Sequence, residues 1–244
     1  MRIHLILTAF VTLLSLNGAV ARAQESKPTA GAGSAAANPD AEGWKSLFDG
    51  KSLTGWTKTN YRRGAAVHVD PKFRGGDAAI LVDAGGSLSG FNWTGDAVPK
   101  TNYEIELEAM KIKGDDFMCG LTFPVGESHA SLILGGWGGY ITGISSLDNM
   151  DASENETEKS ITYVTDRWYK VRMRVMPTRL QAWLDEKKIV DIDTTGKKIS
   201  LRIGEIEMSV PIGIATYKTD SAFRSIRLRS LTPKEIANAG AKAP

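Results

Sequence analysis

The sequence predicts an all-β fold, an antiparallel two-sheet β-sandwich of jelly-roll type, on three observations. Apolar and polar residues alternate with a period of two in several short segments, glycine-containing turns separate them, and no segment carries a long amphipathic helical period. Such alternation describes a sheet packed on one face and wetted on the other, as antiparallel architectures are.

In chain order, Met1-Arg2 places one charge ahead of a mostly apolar run over residues 3–16, and Ala21-Arg22-Ala23 offers small residues for cleavage. That is the pattern of a secretory signal peptide. His4, Thr8, Thr12 and Ser15 interrupt the run and Asn17-Gly18 follow it, so it suits a membrane span poorly. The expectation is cleavage after Ala23, no lipid-accepting cysteine there, no membrane span afterwards, and a periplasmic or extracellular chain. Residues 24–42 contain no large apolar side chain to offset ordering entropy and read as a flexible Ala/Gly/Pro-rich linker. Residues 43–232 are the folded domain, and residues 233–244 a C-terminal tail with room for one helical turn over 234–238.

Within the domain, residues 103–109 are apolar at odd positions and carry Glu104, Glu106 and Glu108 at even ones. One face should pack on a core while the other meets water. Residues 169–175, 199–203 and 226–229 repeat the alternation. Leu132-Ile133-Leu134 is continuously apolar, as a central strand covered on both faces would be. Residues 180–192 read as two strands joined by a tight turn at Asp185-Glu186-Lys187.

Charge excludes one class of partner. The chain has 30 Lys and Arg against 28 Asp and Glu, and loss of Arg2 and Arg22 with the signal peptide leaves it neutral. Nucleic acid, which is held through clustered basic excess, is not the expected partner. Cys119 is the only cysteine, so no intrachain disulfide can form, and its apolar strand makes it a buried, inert thiol. His68 and His129 are isolated from any nucleophile motif, and no glycine-rich nucleotide loop is present.

The stretch Gly43-Trp44-Lys45-Ser46-Leu47-Phe48-Asp49-Gly50-Lys51-Ser52-Leu53-Thr54-Gly55-Trp56 resembles the opening motif of the 3-keto-disaccharide hydrolase domain family. The strand at 103–109, Arg167-Trp168-Tyr169, Leu180-Gln181-Ala182-Trp183-Leu184-Asp185 and Phe223-Arg224-Ser225-Ile226 fit the same family in order. The resemblance implies a concanavalin A-like sandwich with a sugar-facing concave sheet, acting on glycosides already oxidised at C3. Three stretches depart from the family pattern. Met118-Cys119-Gly120-Leu121-Thr122-Phe123-Pro124 lacks the usual Asn and Arg, Ser131-Leu132-Ile133-Leu134-Gly135-Gly136 lacks the usual acids and Gln, and Ala215-Thr216-Tyr217-Lys218 replaces the usual Gln and His.

A C3 ketone acidifies the hydrogen on C2, so elimination needs a base there, donors on the ketone, and an acid for the leaving oxygen. The richest supply of carboxylates is the segment 148–158, where Asp148 or Glu154 is the candidate base and Asn149 a candidate substrate contact; the same segment also reads as a plain solvated loop. Its acids at Asp148, Asp151 and Glu154 are three apart and of the type Ca²⁺ prefers, without matching a tight calcium motif, and no other cofactor is expected. Glu104, Glu106 and Glu108 form a second carboxylate row, spaced about 6.6 Å by alternate Cα atoms, compatible with glycosidase chemistry and equally with a solvated strand face. In Gly135-Gly136-Trp137-Gly138-Gly139-Tyr140 two rings stand in a backbone nearly bare of side chains. Trp137 and Tyr140 are therefore candidate stacking platforms for sugar, with a glycine-bent strand and an inward Trp137 as the other reading. Either a 3-keto glycoside hydrolase or a non-catalytic carbohydrate-binding or surface-interaction module fits these residues.

Overall fold

The computed structural model describes residues 43–240; the expected signal peptide and linker, and residues 241–244, lie outside the described residues. The strands are β1 (Lys45–Ser46), β2 (Trp56–Lys58), β3 (Val67–Asp70), β4 (Ala79–Val82), β5 (Leu88–Trp93), β6 (Tyr103–Gly114), β7 (Cys119–Val125), β8 (Ser128–Gly135), β9 (Ile141–Ser145), β10 (Lys159–Ser160), β11 (Trp168–Met176), β12 (Arg179–Leu184), β13 (Lys187–Asp193), β14 (Gly213–Tyr217) and β15 (Thr219–Ser230). They form two antiparallel sheets. One runs β13-β12-β11-β6-β15-β4-β3, with β1 also on β15, and the other runs β10-β9-β8-β7-β14-β5-β2.

Alternation decides what lies between the sheets. Tyr103, Ile105, Leu107 and Ala109 of β6 and Tyr169, Val171, Met173 and Val175 of β11 are buried from one side. From the other sheet come Phe91, Leu121, Phe123, Leu132, Leu134, Ile144 and Ile214. Each fully buried large side chain contributes about 1.5–3 kcal/mol, so this one interior holds the fold without a disulfide. The entry motif packs here as well: Trp56 sits edge-on to Phe91 and Trp93, at 5.0 and 5.1 Å between ring centroids, and donates from Nε1 to the Leu47 carbonyl at 2.6 Å.

The carboxylate row on β6 does not meet water as its alternation suggests. Pairing sets Glu104, Glu106 and Glu108 opposite Arg174, Arg172 and Lys170 of β11 and opposite Arg229, Arg227 and Arg224 of β15. Glu104 bonds Arg174 and Arg229, Glu106 bonds Lys170 and Arg227, and Glu108 bonds Arg224. These cross-strand partners lie over the acids and bury Glu104 completely. A bulge at Ser225, whose φ is 53°, inserts one residue into β15 and keeps Arg224, Arg227 and Arg229 on one face.

Two other segments differ from the alternation reading. Residues 199–203 are not a strand: Ile199 makes one bridge to Leu147, and the chain then leaves the sheet into the 3-10 helix Glu205–Ser209. Its backbone pairing stops at Ser200, which exchanges hydrogen bonds with Ser146, so period-two patterning alone does not create a strand. The chain after β15 forms the helix Pro233–Gly240, longer than a single turn. Thr232 Oγ1 accepts from Glu235 N while Glu235 Oε2 accepts from Thr232 N, a reciprocal cap. Glu235 also bonds Arg229.

Candidate functional site

The outward face of the seven-stranded sheet can be read row by row from its register. Asn92, Gly213, Thr122, Ser131 and Ser145 are aligned across β5, β14, β7, β8 and β9. Two residues along, about 6.7 Å away, the next row is Gly90, Ala215, Gly120, Ile133 and Gly143. Four of those five carry a methyl group or nothing; Phe117 packs over Gly120 and Thr157 over Gly143, and Ile133 alone of this row lines the hollow described next. A further step brings Leu88 beside Tyr217.

Over this face lies a hollow of about 500 Å³ lined from the sheet by Leu88, Ser131, Ile133, Ser145 and Tyr217, and closed on one side by the covering segment Arg202, Ile203, Gly204, Glu205 and Ile206. Its polar end has Ser131 and Ser145. Ser131 shares a hydrogen bond with Thr122 at 2.8 Å, and Ser145 donates to Asp151 at 3.0 Å. Asp151 also pairs with Arg202 at 3.4 Å, which ties the covering segment to the sheet and turns a guanidinium toward the hollow. Two carboxylates reach the same space. Asp116 accepts from Phe117 N at 2.8 Å and Gly138 N at 3.4 Å, and Glu205 accepts from Arg62 N at 2.7 Å. A carboxylate offers about four lone-pair directions, so both retain acceptor capacity for a ligand.

The opposite end is apolar. Phe117 and Tyr217 stack at 5.9 Å with 24° between their planes, and the Lys218 ammonium lies 5.2 Å from the Tyr217 ring. Leu88 and Ile206 complete that wall. Tyr61, behind it, hydrogen bonds Ser209, and burial raises its phenol above the usual range.

Trp137 is among the residues lining this hollow. Positive φ at Gly135, Trp137, Gly138 and Gly139 coils the chain into one tight turn that glycine enters without steric cost. The indole packs against the cluster of Ile133, Ile141 and Ala152, as Phe117 also does, while keeping part of its surface open. Tyr140, at the end of the turn, is exposed and does not line the hollow.

The acidic segment 148–158 lies beside the hollow and does not line it. Asp148 accepts from Lys198 N at 2.8 Å and faces Lys197 at 3.6 Å, Glu154 accepts from Asp151 N at 3.2 Å, and Asn149 is exposed. Glu156 is held below the usual carboxylate range chiefly by its hydrogen bond to Lys197. The segment is fastened by Asn155, which donates to the carbonyls of Ile144, Met150 and Asp151 and accepts twice from Thr157. Among the described residues no group of three His, Cys, Asp or Glu side chains is arranged to hold a metal ion. Asp148, Asp151 and Glu154 each face partners within the protein instead.

Asp116, Phe117, Arg202, Glu205 and Tyr217 were not singled out by sequence reasoning, because no periodic pattern joins them. A signal existed nonetheless. The three stretches that depart from the family pattern fall on β7, β8 and β14, the central strands of the seven-stranded sheet, and β8 and β14 supply Ser131, Ile133 and Tyr217 to the hollow.

The sequence profile described as the 3-keto-alpha-glucoside-1,2-lyase-like domain matches residues 43–229. The chain belongs to this family. None of the curated proteins matches it in sequence. Among solved structures, the chain is similar to domain 4 of AbnA, a GH43 extracellular arabinanase from Geobacillus stearothermophilus in complex with arabinotriose. That likeness has 12% identity, covers 82% of this chain and 98% of the other, and has a TM-score of 0.50. The apo Crh5 transglycosylase is similar at 10% identity over 78% of this chain and 84% of its own, with a TM-score of 0.52. The carbohydrate-binding module CBM66 from Bacillus subtilis gives 14% identity, 72% and 96% coverage, and a TM-score of 0.48. At these identities the likeness is one of fold.

Proposed function

We propose that this lyase-like domain binds a glycoside in the hollow over the seven-stranded sheet and cleaves it when C3 is a ketone. The observation that carries the reading is the meeting of Asp116, Glu205 and Arg202 in one hollow beside Trp137. Arg202 donates to the ketone oxygen, where negative charge develops. One of the two carboxylates takes the C2 proton, and the C2–H electron pair becomes the C1=C2 bond. The C1–O bond breaks, and its electrons leave with the aglycone oxygen, which receives a proton from the other acid. Neither Asp148 nor Glu154 is needed for this chemistry.

The purified protein should release the aglycone from a 3-keto glucoside while leaving the unoxidised glucoside intact. Asp116→Asn and Glu205→Gln should each lower turnover by about 10²-fold or more, the usual contribution of a positioned acid or base. Asp148→Asn and Glu154→Gln should leave it near the parent value. Full turnover in both pocket variants would reject the catalytic assignment.

One observation favours a second reading, a carbohydrate-binding module. Asp116 and Glu205 already accept backbone N–H bonds, and no histidine lines the hollow among the described residues. Saturable sugar binding without any cleavage would select it. We also read the chain as exported, on the charge and apolar run of residues 1–23. Protein recovered outside the cytoplasm should begin at Gln24.

A further inference from the structure

The hollow has two chemically different ends, and the register of the sheet sets their separation. Ser131 and Ser145 stand in one cross-strand row, and Leu88 and Tyr217 stand in the row four residues further along, about 13 Å away. Ser131, Ser145 and Arg202 offer hydroxyls and a guanidinium at the first end. The second end offers Leu88, Phe117, Ile206 and Tyr217, which pack with Tyr61 and Ala215 as an apolar cluster apart from the main interior. Ser87 beside Leu88 and Glu205 beside Ile206 are the polar residues near that end, so the second ring of a disaccharide would set most of its hydroxyls against apolar side chains and lose their water without replacement. Phe117 already stacks on one face of Tyr217, and the Lys218 ammonium lies 5.2 Å from the same ring. The covering segment extends the same character to the mouth, where Ile203 is 91% exposed at the edge of the hollow.

We infer that the apolar end is an aglycone subsite, and that the ligand is a monosaccharide glycoside of an aromatic or similarly apolar alcohol rather than a disaccharide. The inference rests on the reading of the hollow as the glycoside site. The sugar lies over Ser131 and Ser145 within reach of Arg202. The aglycone ring lies against Leu88, Ile206 and the edges of Phe117 and Tyr217.

Binding measured by calorimetry separates this inference from the catalytic proposal, because it needs no turnover. Three unoxidised probes are compared: p-nitrophenyl glucoside, methyl glucoside and trehalose. The p-nitrophenyl glucoside should bind roughly tenfold or more tightly than either of the others, the range expected for filling an apolar pocket. Ile206→Ser, at a half-buried position on the covering segment, should narrow that ratio toward one, and free p-nitrophenol should compete with the aryl glucoside. Trehalose binding as tightly as the aryl glucoside, or a ratio that Ile206→Ser leaves unchanged, would overturn the inference. Cleavage of a 3-keto disaccharide in that case would leave the catalytic reading standing. An aryl preference without cleavage of any 3-keto glycoside would have the opposite meaning, keeping the subsite and removing the catalysis.

Discussion

Arg229 donates from both Nε and Nη2 to one oxygen of Glu104, at 2.9 and 2.6 Å, across the pairing of β15 with β6. Arg174 holds the other oxygen from the opposite side at 2.7–2.8 Å. Glu104 is fully buried and its two arginines nearly so, which places an anion and its neutralising partners inside low-dielectric surroundings together.

Glu104→Gln should therefore destabilise the domain by about 3–5 kcal/mol, because Arg174 loses its counter-charge and Arg229 keeps only Glu235. Glu108→Gln, further out in the same row, should cost about 1 kcal/mol or less. Urea midpoints of the two variants check the ordering, and equal midpoints would contradict it.

The Arg229 guanidinium also reaches Glu235 on the C-terminal helix. Its hydrogen bond, assisted by those from Thr232, holds that carboxyl at about 2, against an ordinary value of 4.5. A carboxyl depressed in the folded state stabilises it above the unfolded value and loses that contribution as pH falls. Stability should decline between about pH 4.5 and pH 2 through this group. Glu235→Gln should flatten that part of the pH profile, as read from thermal midpoints at each pH.

Much of this architecture was legible in the sequence. Period-two alternation at 103–109 and 169–175 identified β6 and β11 and the faces they turn inward, and the turn at Asp185-Glu186 separated β12 from β13. The burial of Glu104 was not legible, since it depends on which strand lies beside which, and β15 begins more than a hundred residues after β6 starts. Trp137 could be picked out because four glycines bracket it. Asp116 and Glu205 could not, because each lies outside the alternating segments, and Arg202 could not, because its alternation reads as a strand that the chain does not form.

Asn155 is the fastening of the acidic segment. Asn155→Ala removes donors to three carbonyls and the acceptor for Thr157, and should cost about 2–3 kcal/mol. Hydrogen exchange should show the amides of residues 150–158 losing protection before the sheets do. Uniform loss across the domain would contradict a local role.

Trp137 should report ligand directly. Glycoside binding should change its fluorescence, and Trp137→Ala should weaken that binding about 3- to 10-fold, the range for one aromatic contact. Tyr140→Ala, on the exposed residue that does not line the hollow, should leave affinity unchanged. A larger loss from Tyr140→Ala would place the sugar outside the hollow.

The most direct measurement is a crystal structure of the protein with a slowly cleaved or unoxidised aryl glucoside bound. The sugar is expected over Ser131 and Ser145 within hydrogen-bond reach of Arg202, with Asp116 and Glu205 around its glycosidic carbon. Sugar density on the arginine-covered face of the eight-stranded sheet, or against the segment 148–158 with the hollow left to water, would contradict the account.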